Sequence, residues 1–163
     1  MAEIRWHLAP FGELTPRHVH DMYRLRVDVF IVEQDCVFQD VDGVDPKCWH
    51  LLGYGDRPQV DPGSGLSPVE LLAYCRILPA GVKFPEPSIG RVITARSVRR
   101  TGMGRVLMAE AMKRARELFG DRQIRIGAQA HLERFYNEFG FTKCGEPYDE
   151  DGILHIEMET TNG

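Results

Sequence analysis

No stretch of the chain is apolar for long enough to span a bilayer, which excludes an integral membrane protein built from helices. Basic charge is not in excess either: the formal net charge is -4 at pH 7. That excludes a broad positive field of the kind that holds nucleic acid. The four cysteines (Cys36, Cys48, Cys75 and Cys144) are irregularly spaced and contain no C-x-x-C pair. A zinc site or a disulfide framework is therefore disfavoured, and reduced thiols are expected. His7, His18, His20, His50, His131 and His155 match no ligand spacing, so no metal is expected. The opening residues MAEIRWHLAP lack an apolar run of signal-peptide length, and the address expected is the cytoplasm. There is no internal repeat and no low-complexity segment.

What is present suits one domain over residues 1–163, with 43% hydrophobic residues to form a core and 27% charged residues to solvate it. Glu3 to Leu8 alternates as a short strand. Thr15 and Pro16 then read as an N-cap and first helical residue, opening a helix to about Val32 with an apolar stripe at Val19, Met22, Leu25 and Val29. Strands follow at Trp49 to Tyr54 and Val69 to Leu78, separated by the glycine- and proline-rich loop GDRPQVDPGSGLSP. Ile89 to Val98 is the next strand. Gly104 to Phe119 is a helix with Leu107, Met108, Ala111, Met112 and Ala115 on one face and Gly120 as its C-cap. A strand at Ile124 to Ala128, a short helix at His131 to Phe139 and strands at Phe141 to Cys144 and Ile153 to Met158 complete the chain. The order β-α-β-β-β-α-β-α-β-β is a mixed α/β pattern with two strand–helix crossovers near its end.

The segment SVRRTGMGRVLMAEAMKRA (Ser97 to Ala115) places two glycines and several arginines at the start of the long helix. Such a start is a ready anion site, because its backbone N–H groups are unpaired and glycine lets phosphate oxygens come close. A Walker A loop would need G-K-[ST], but Gly104 is followed by Arg105 and Val106. A dinucleotide fingerprint would need a third glycine where Leu107 stands and an acid after the next strand, IRIGA, which has none. What remains is R-x-x-G-x-G, met by Arg99, Gly102 and Gly104.

That loop resembles the Q/R-x-x-G-x-G/A loop of the GNAT (Gcn5-related) N-acyltransferases. LERFYNEFGF (Leu132 to Phe141) is similar to the late helix of the same family, ending F-Y-x-x-x-G-F. Further segments, LRVDVFIVEQ, QDVDGVD, IGRVI, GAQAHL and EDGILHI, resemble the ElaA-like branch and spread over most of the chain. The resemblance implies a GNAT fold: α/β, with a mixed, mostly antiparallel central sheet and flanking helices. It implies acetyl transfer from acetyl-CoA, as co-substrate, to a primary amine of a small molecule or protein by direct attack on the thioester. Val92, Ile93 and Thr94 would position the pantetheine, and the backbone of Arg99, Arg100, Thr101, Gly102, Met103, Gly104 and Arg105 would cradle the pyrophosphate. Tyr136 stands at the family's general-acid position.

The general base is less legible, because IRIGAQA lacks the carboxylate that many relatives carry on this strand and Gln129 replaces a frequent asparagine. A water chain could carry the proton; otherwise Glu33 and His155 are the candidates to test, each read more readily as a structural residue. The acidic run Glu33, Asp35, Asp40, Asp42 and Asp45, with Asp149, Glu150 and Asp151, is compatible with a cationic amine acceptor or simply with a solvated loop. Arg26, Phe30, Asp42 and Asp45 are also similar to the R-x-x-V-F and aspartate pattern of the acyl-homoserine-lactone synthases, a rival within the fold. A non-catalytic CoA-binding sensor is the rival outside enzymology. No nucleic-acid or membrane partner is expected, and a homodimer through C-terminal strands is plausible by analogy.

Overall fold

A computed structural model describes residues 3–161 of the chain. It opens with β1 (Arg5–Pro10) and reaches α1 (Pro16–Arg26) through a short 3-10 turn. Thr15 fixes the helix start. Its Oγ1 accepts the His18 N–H at 3.2 Å, and His18 Nδ1 accepts the Thr15 N–H at 3.3 Å, a reciprocal cap of the kind that satisfies two orphan donors. The helix continues past Arg26, but over Val27–Glu33 it is wound as a π-helix. Periodicity of apolar residues does not reveal that change of pitch. The wider turns end at Asp35, whose φ is +48°.

Three strands follow: β2 (Trp49–Asp56), β3 (Val69–Leu78) and β4 (Ser88–Thr94). The strand expected to reach Val98 stops at Thr94, because Arg96–Val98 form a 3-10 turn. The chain then enters α2 (Met103–Phe119), capped at its end by Gly120 with φ +77°. Next come β5 (Arg125–Gln129), a 3-10 turn at Ala130–Leu132 and α3 (Glu133–Asn137). The chain ends in β6 (Phe141–Lys143), β7 (Tyr148–Glu150) and β8 (Ile153–Thr160). Strand β7 is an addition to the sequence reading. Asp151 and Gly152, both at positive φ, turn it directly into β8, as Asp-Gly does in a tight hairpin.

Strands β1, β2, β3 and β4 form one antiparallel sheet in that order, while β8 is paired by β5 and β6 and, at its start, by β7. The hydrophobic run of β3, ELLAYCRIL, is explained by cover on both faces. Leu72 and Tyr74 pack with Met22, Leu25 and Val29 of the first helix. Ala73, Cys75 and Ile77 pack instead with Leu107, Met108, Ala111 and Ala115 of α2 and with Ile126 of β5. Each layer is a helix stripe pressed on alternate strand residues.

The two sheets meet where β4 and β5 begin: the Arg125 N–H donates to the Pro87 carbonyl at 3.0 Å. Beyond that point the strands part. In β3–β4 pairing, Tyr74 faces Ile93 but Arg76 faces Gly90, so β4 carries one extra residue. The bulge includes Arg91 at φ +52°, an uncommon backbone state for a residue with a side chain.

Leu107 has no solvent exposure and sits between α2 and the sheet. Replacing it with alanine is expected to cost about 2–5 kcal/mol, read as a lower urea midpoint at unchanged slope. A loss under about 1 kcal/mol would contradict the packing described.

Candidate active site

Between the diverging strands lies a cleft of about 480 Å³, walled by β4 and β5, roofed by the end of the first helix and reaching the start of α2. The π-helical segment directs Val29, Phe30 and Glu33 into it. From β4 come Ile89 to Thr94, and from α3 come Phe135 and Tyr136. The sequence-predicted residues Val92, Ile93, Thr94, Arg99, Gly104, Tyr136, Glu33 and His155 are thus brought to one cleft.

The loop ahead of α2 is built for bare backbone. Arg100 has φ +63° and Gly102 φ +88°, and Gly102 is the N-cap with no side chain to bond the first turn. The first N–H groups of α2 therefore carry the helix's unmet donors and its positive end. A Cβ at Gly104 would meet nothing closer than the Phe135 ring at 3.7 Å, so internal packing does not require glycine there. Met103 is buried in the core and contributes only its backbone to this surface. The Arg105 side chain forms an exposed ion pair with Glu138 at 2.7 Å, while Thr101 Oγ1 donates to the Val98 carbonyl at 2.6 Å.

Tyr136 is buried beside this loop, edge-on to Phe135 and Phe141. Burial pushes its phenol above the ordinary value, so the group keeps its proton at neutral pH. Glu33 is ion-paired with Arg99, tying the end of the first helix to the glycine loop. His155 is engaged at both ring nitrogens: Nδ1 lies 2.8 Å from the Ile153 carbonyl and Nε2 3.3 Å from Glu150.

Three members of the acidic run are neither solvated nor turned to an acceptor. Asp40, Asp42 and Asp45 face inward on Arg26, Arg76 and Arg91. Arg26 is wholly buried and donates to Asp40 at 2.9 Å and to Asp45 at 2.8 Å. Arg76 grips Asp42 at 2.7 Å and also reaches Asp45 at 3.0 Å. Arg91 reaches Asp40 at 2.8 Å, with its guanidinium near the Phe30 and Phe38 rings. His50 bridges Tyr74 and the Asp45 carbonyl below. These carboxylates are spent on internal cations, so they give no support to a cationic acceptor, and Arg26 and Asp45 form a brace behind the cleft. Burial alone would raise the Asp42 and Asp45 carboxyl values, but the arginine hydrogen bonds and charges outweigh it and hold both below the usual range.

Comparison with known proteins gives this cleft its context. Residues 80–162 match the acetyltransferase (GNAT) domain model. The chain is 36% identical to protein ElaA of Escherichia coli, over 95% of each chain. The chain belongs to the GNAT acetyltransferase family. A UPF0039 protein of Synechocystis sp. is 40% identical over 96% of this chain and 94% of its own. Among solved structures, an acyl-CoA N-acyltransferase from Pseudomonas aeruginosa superposes with a TM-score of 0.83 at 34% identity, covering 98% of this chain and all of that one. Escherichia coli ElaA superposes at 0.82. The GNAT fold expected from the motifs is the one observed. Among the described residues no group of histidine, cysteine, aspartate and glutamate has the geometry of a metal site, and no helix is long and apolar enough to cross a membrane.

Two elements of this GNAT cleft were missed in the sequence. The bulge at Arg91 has no local signature. Lys83, in the loop KFPEP, lines the inner end of the cleft, yet a lone lysine in a proline-rich loop carries no spacing signal.

Removing one carboxylate from the buried network leaves two cations short of a partner, so Asp45→Asn is expected to cost about 3–5 kcal/mol. Because Asp42 and Asp45 titrate lower in the folded chain than unfolded, their stabilisation is complete above about pH 5. It is lost as the pH falls through about 4 toward the depressed native values. Chemical denaturation at stepped pH checks both, and a flat profile for the native chain would contradict the network's role.

Proposed function

We propose that this protein transfers an acetyl group from acetyl-CoA to a primary amine by direct attack of the amine on the thioester. One observation carries the reading: a proton-bearing tyrosine, an unpaired strand backbone and a glycine-bare helix start share one cleft. The residues present fit a CoA thioester. The N–H groups from Arg100 to Gly104, at the positive end of α2, suit a pyrophosphate, while the Arg105 N–H donates to the Gly102 carbonyl at 3.0 Å; Arg99 adds charge beside them. Val92, Ile93 and Thr94, at and after the bulge and without a β5 strand partner, offer backbone groups to an extended pantetheine. Bound acetyl-CoA supplies an acyl carbonyl activated by its sulfur.

The remaining chemistry falls to this chain's own groups. Tyr136 Oη holds a proton at neutral pH and is the donor for the departing sulfur. His155 is the better placed of the two candidate bases. With Nδ1–H committed to the Ile153 carbonyl, its Nε2 takes up the amine's proton against the Glu150 carboxylate. Glu33 acts through Arg99: it ties the roof of the cleft to the phosphate loop and positions both.

Tyr136→Phe is expected to lower kcat by about 10²–10⁴-fold with little change in CoA affinity, measured by thiol release and by calorimetric titration of CoA. An unchanged kcat removes the assigned acid. Gly102→Asp puts a negative charge where phosphate is to sit and is expected to abolish CoA binding. Gly102→Asn, which tolerates the same positive φ without the charge, retains most of it. Equal affinity in all three proteins would overturn the loop assignment.

A further inference from the structure

Lys83 belongs to no ion pair among the described residues, yet it sits against the cleft. The residue is exposed, and its amine reaches over β5. Nζ lies 3.1 Å from where a Cβ of Gly127 would be, and the Tyr148 hydroxyl lies 2.7 Å from the same point. Gly127 is therefore the residue that makes room for both groups, since any side chain there would displace them. The space that a β5 side chain would occupy is filled by an amine from the neighbouring loop.

No carboxylate lies within ion-pair distance of that amine among the described residues. Arg76 and Arg91, which line the same end of the cleft, share their charge with Asp40, Asp42 and Asp45. Glu150 lies 3.3 Å from His155 Nε2 and Glu157 is ion-paired with Arg125, so neither contacts the amine. Burial lowers the Lys83 amine below the ordinary lysine value; Glu150 opposes the shift, and Arg91 and Arg76 add to it. An anion delivered here gains an ion partner that no carboxylate of the described residues occupies.

We propose that Lys83 receives a carboxylate of the reactants at the inner end of the cleft. The inference rests on the acyltransferase reading and names its substrate class. The carboxylate belongs either to the acceptor, which is then an amino acid, or to the acyl group, which is then a dicarboxylic half-thioester of CoA. Both sources present the same chemistry to Nζ. Tyr148 packs beside the amine, stacked on His155, and helps fix the place of the anion.

The test is calorimetric titration in two arms. In the acceptor arm, protein saturated with CoA is titrated with a panel of amino acids and with their carboxamides, which keep the amine and lose the carboxylate. In the donor arm, free protein is titrated with succinyl-CoA and with acetyl-CoA. A charge-assisted hydrogen bond predicts about 10- to 100-fold tighter binding of the carboxylate-bearing member in one arm. Lys83→Met should collapse that ratio to within about twofold while leaving the neutral member's affinity unchanged, and Lys83→Arg should keep most of it. The arm that responds identifies the source of the carboxylate. Equal binding within both pairs, or a preference that survives in Lys83→Met, overturns the proposal. Failure of CoA itself to bind would instead remove the acyltransferase reading, and this inference with it.

Discussion

The cleft exists because β4 and β5 begin together and then separate. The hydrogen bond from Arg125 to Pro87 closes the sheet at one end. The extra residue in β4 bends it away just beyond, and the backbone after the bulge is left without a neighbour from β5. Everything assigned to the site hangs on that divergence: the bare strand backbone, the reach of Tyr136 into the gap, and the line from the gap to the start of α2. The divergence carries a local penalty, since a non-glycine residue at φ +52° costs roughly 1–2 kcal/mol. Arg91 offsets it with its side chain. That side chain is held by Asp40 and Asp42 and lies near two phenylalanine rings, so the backbone that bends is anchored through its side chain.

That grip is part of a larger buried network whose worth is geometric more than energetic. Desolvating three arginines and three aspartates consumes much of their mutual attraction, and an apolar cluster of equal volume would serve stability as well. What an apolar cluster would not do is fix where the segment between the first helix and β2 lies. Arg26 in the helix, Arg76 in β3 and Arg91 in β4 all converge on aspartates of that one segment. The helix end that roofs the cleft is thereby registered against the strands that wall it. A second tie, Glu33 to Arg99, registers the same helix end against the glycine loop.

Much of this was legible in the sequence, and the reasons differ by element. α2 was readable because an amphipathic stripe and a terminal glycine mark a helix wherever it sits. The position of the glycine loop at the start of α2 was readable because a glycine at positive φ marks such a turn. The capping of the first helix was visible in Thr15 and Pro16. The π-helical winding was not, since both pitches leave similar apolar spacing over so few residues. β7 was overlooked although Asp151 and Gly152 carry the signature of its turn. The aspartates were misjudged for a deeper reason. A carboxylate's partner is set by the fold, and Asp42 is 34 residues from the arginine that binds it. Lys83 was invisible for the same cause, because its neighbours Gly127 and Tyr148 are remote in the chain.

The most direct test of the account is to mix the purified protein with acetyl-CoA and a panel of primary amines and to follow the free thiol. Amine-dependent release of CoA, stoichiometric with an N-acetylated product, is the predicted result. A protein that binds CoA in this cleft yet releases no thiol with any amine, and none when longer or carboxylated acyl groups replace acetyl, would contradict the account and mark the cleft as a sensor of the CoA pool.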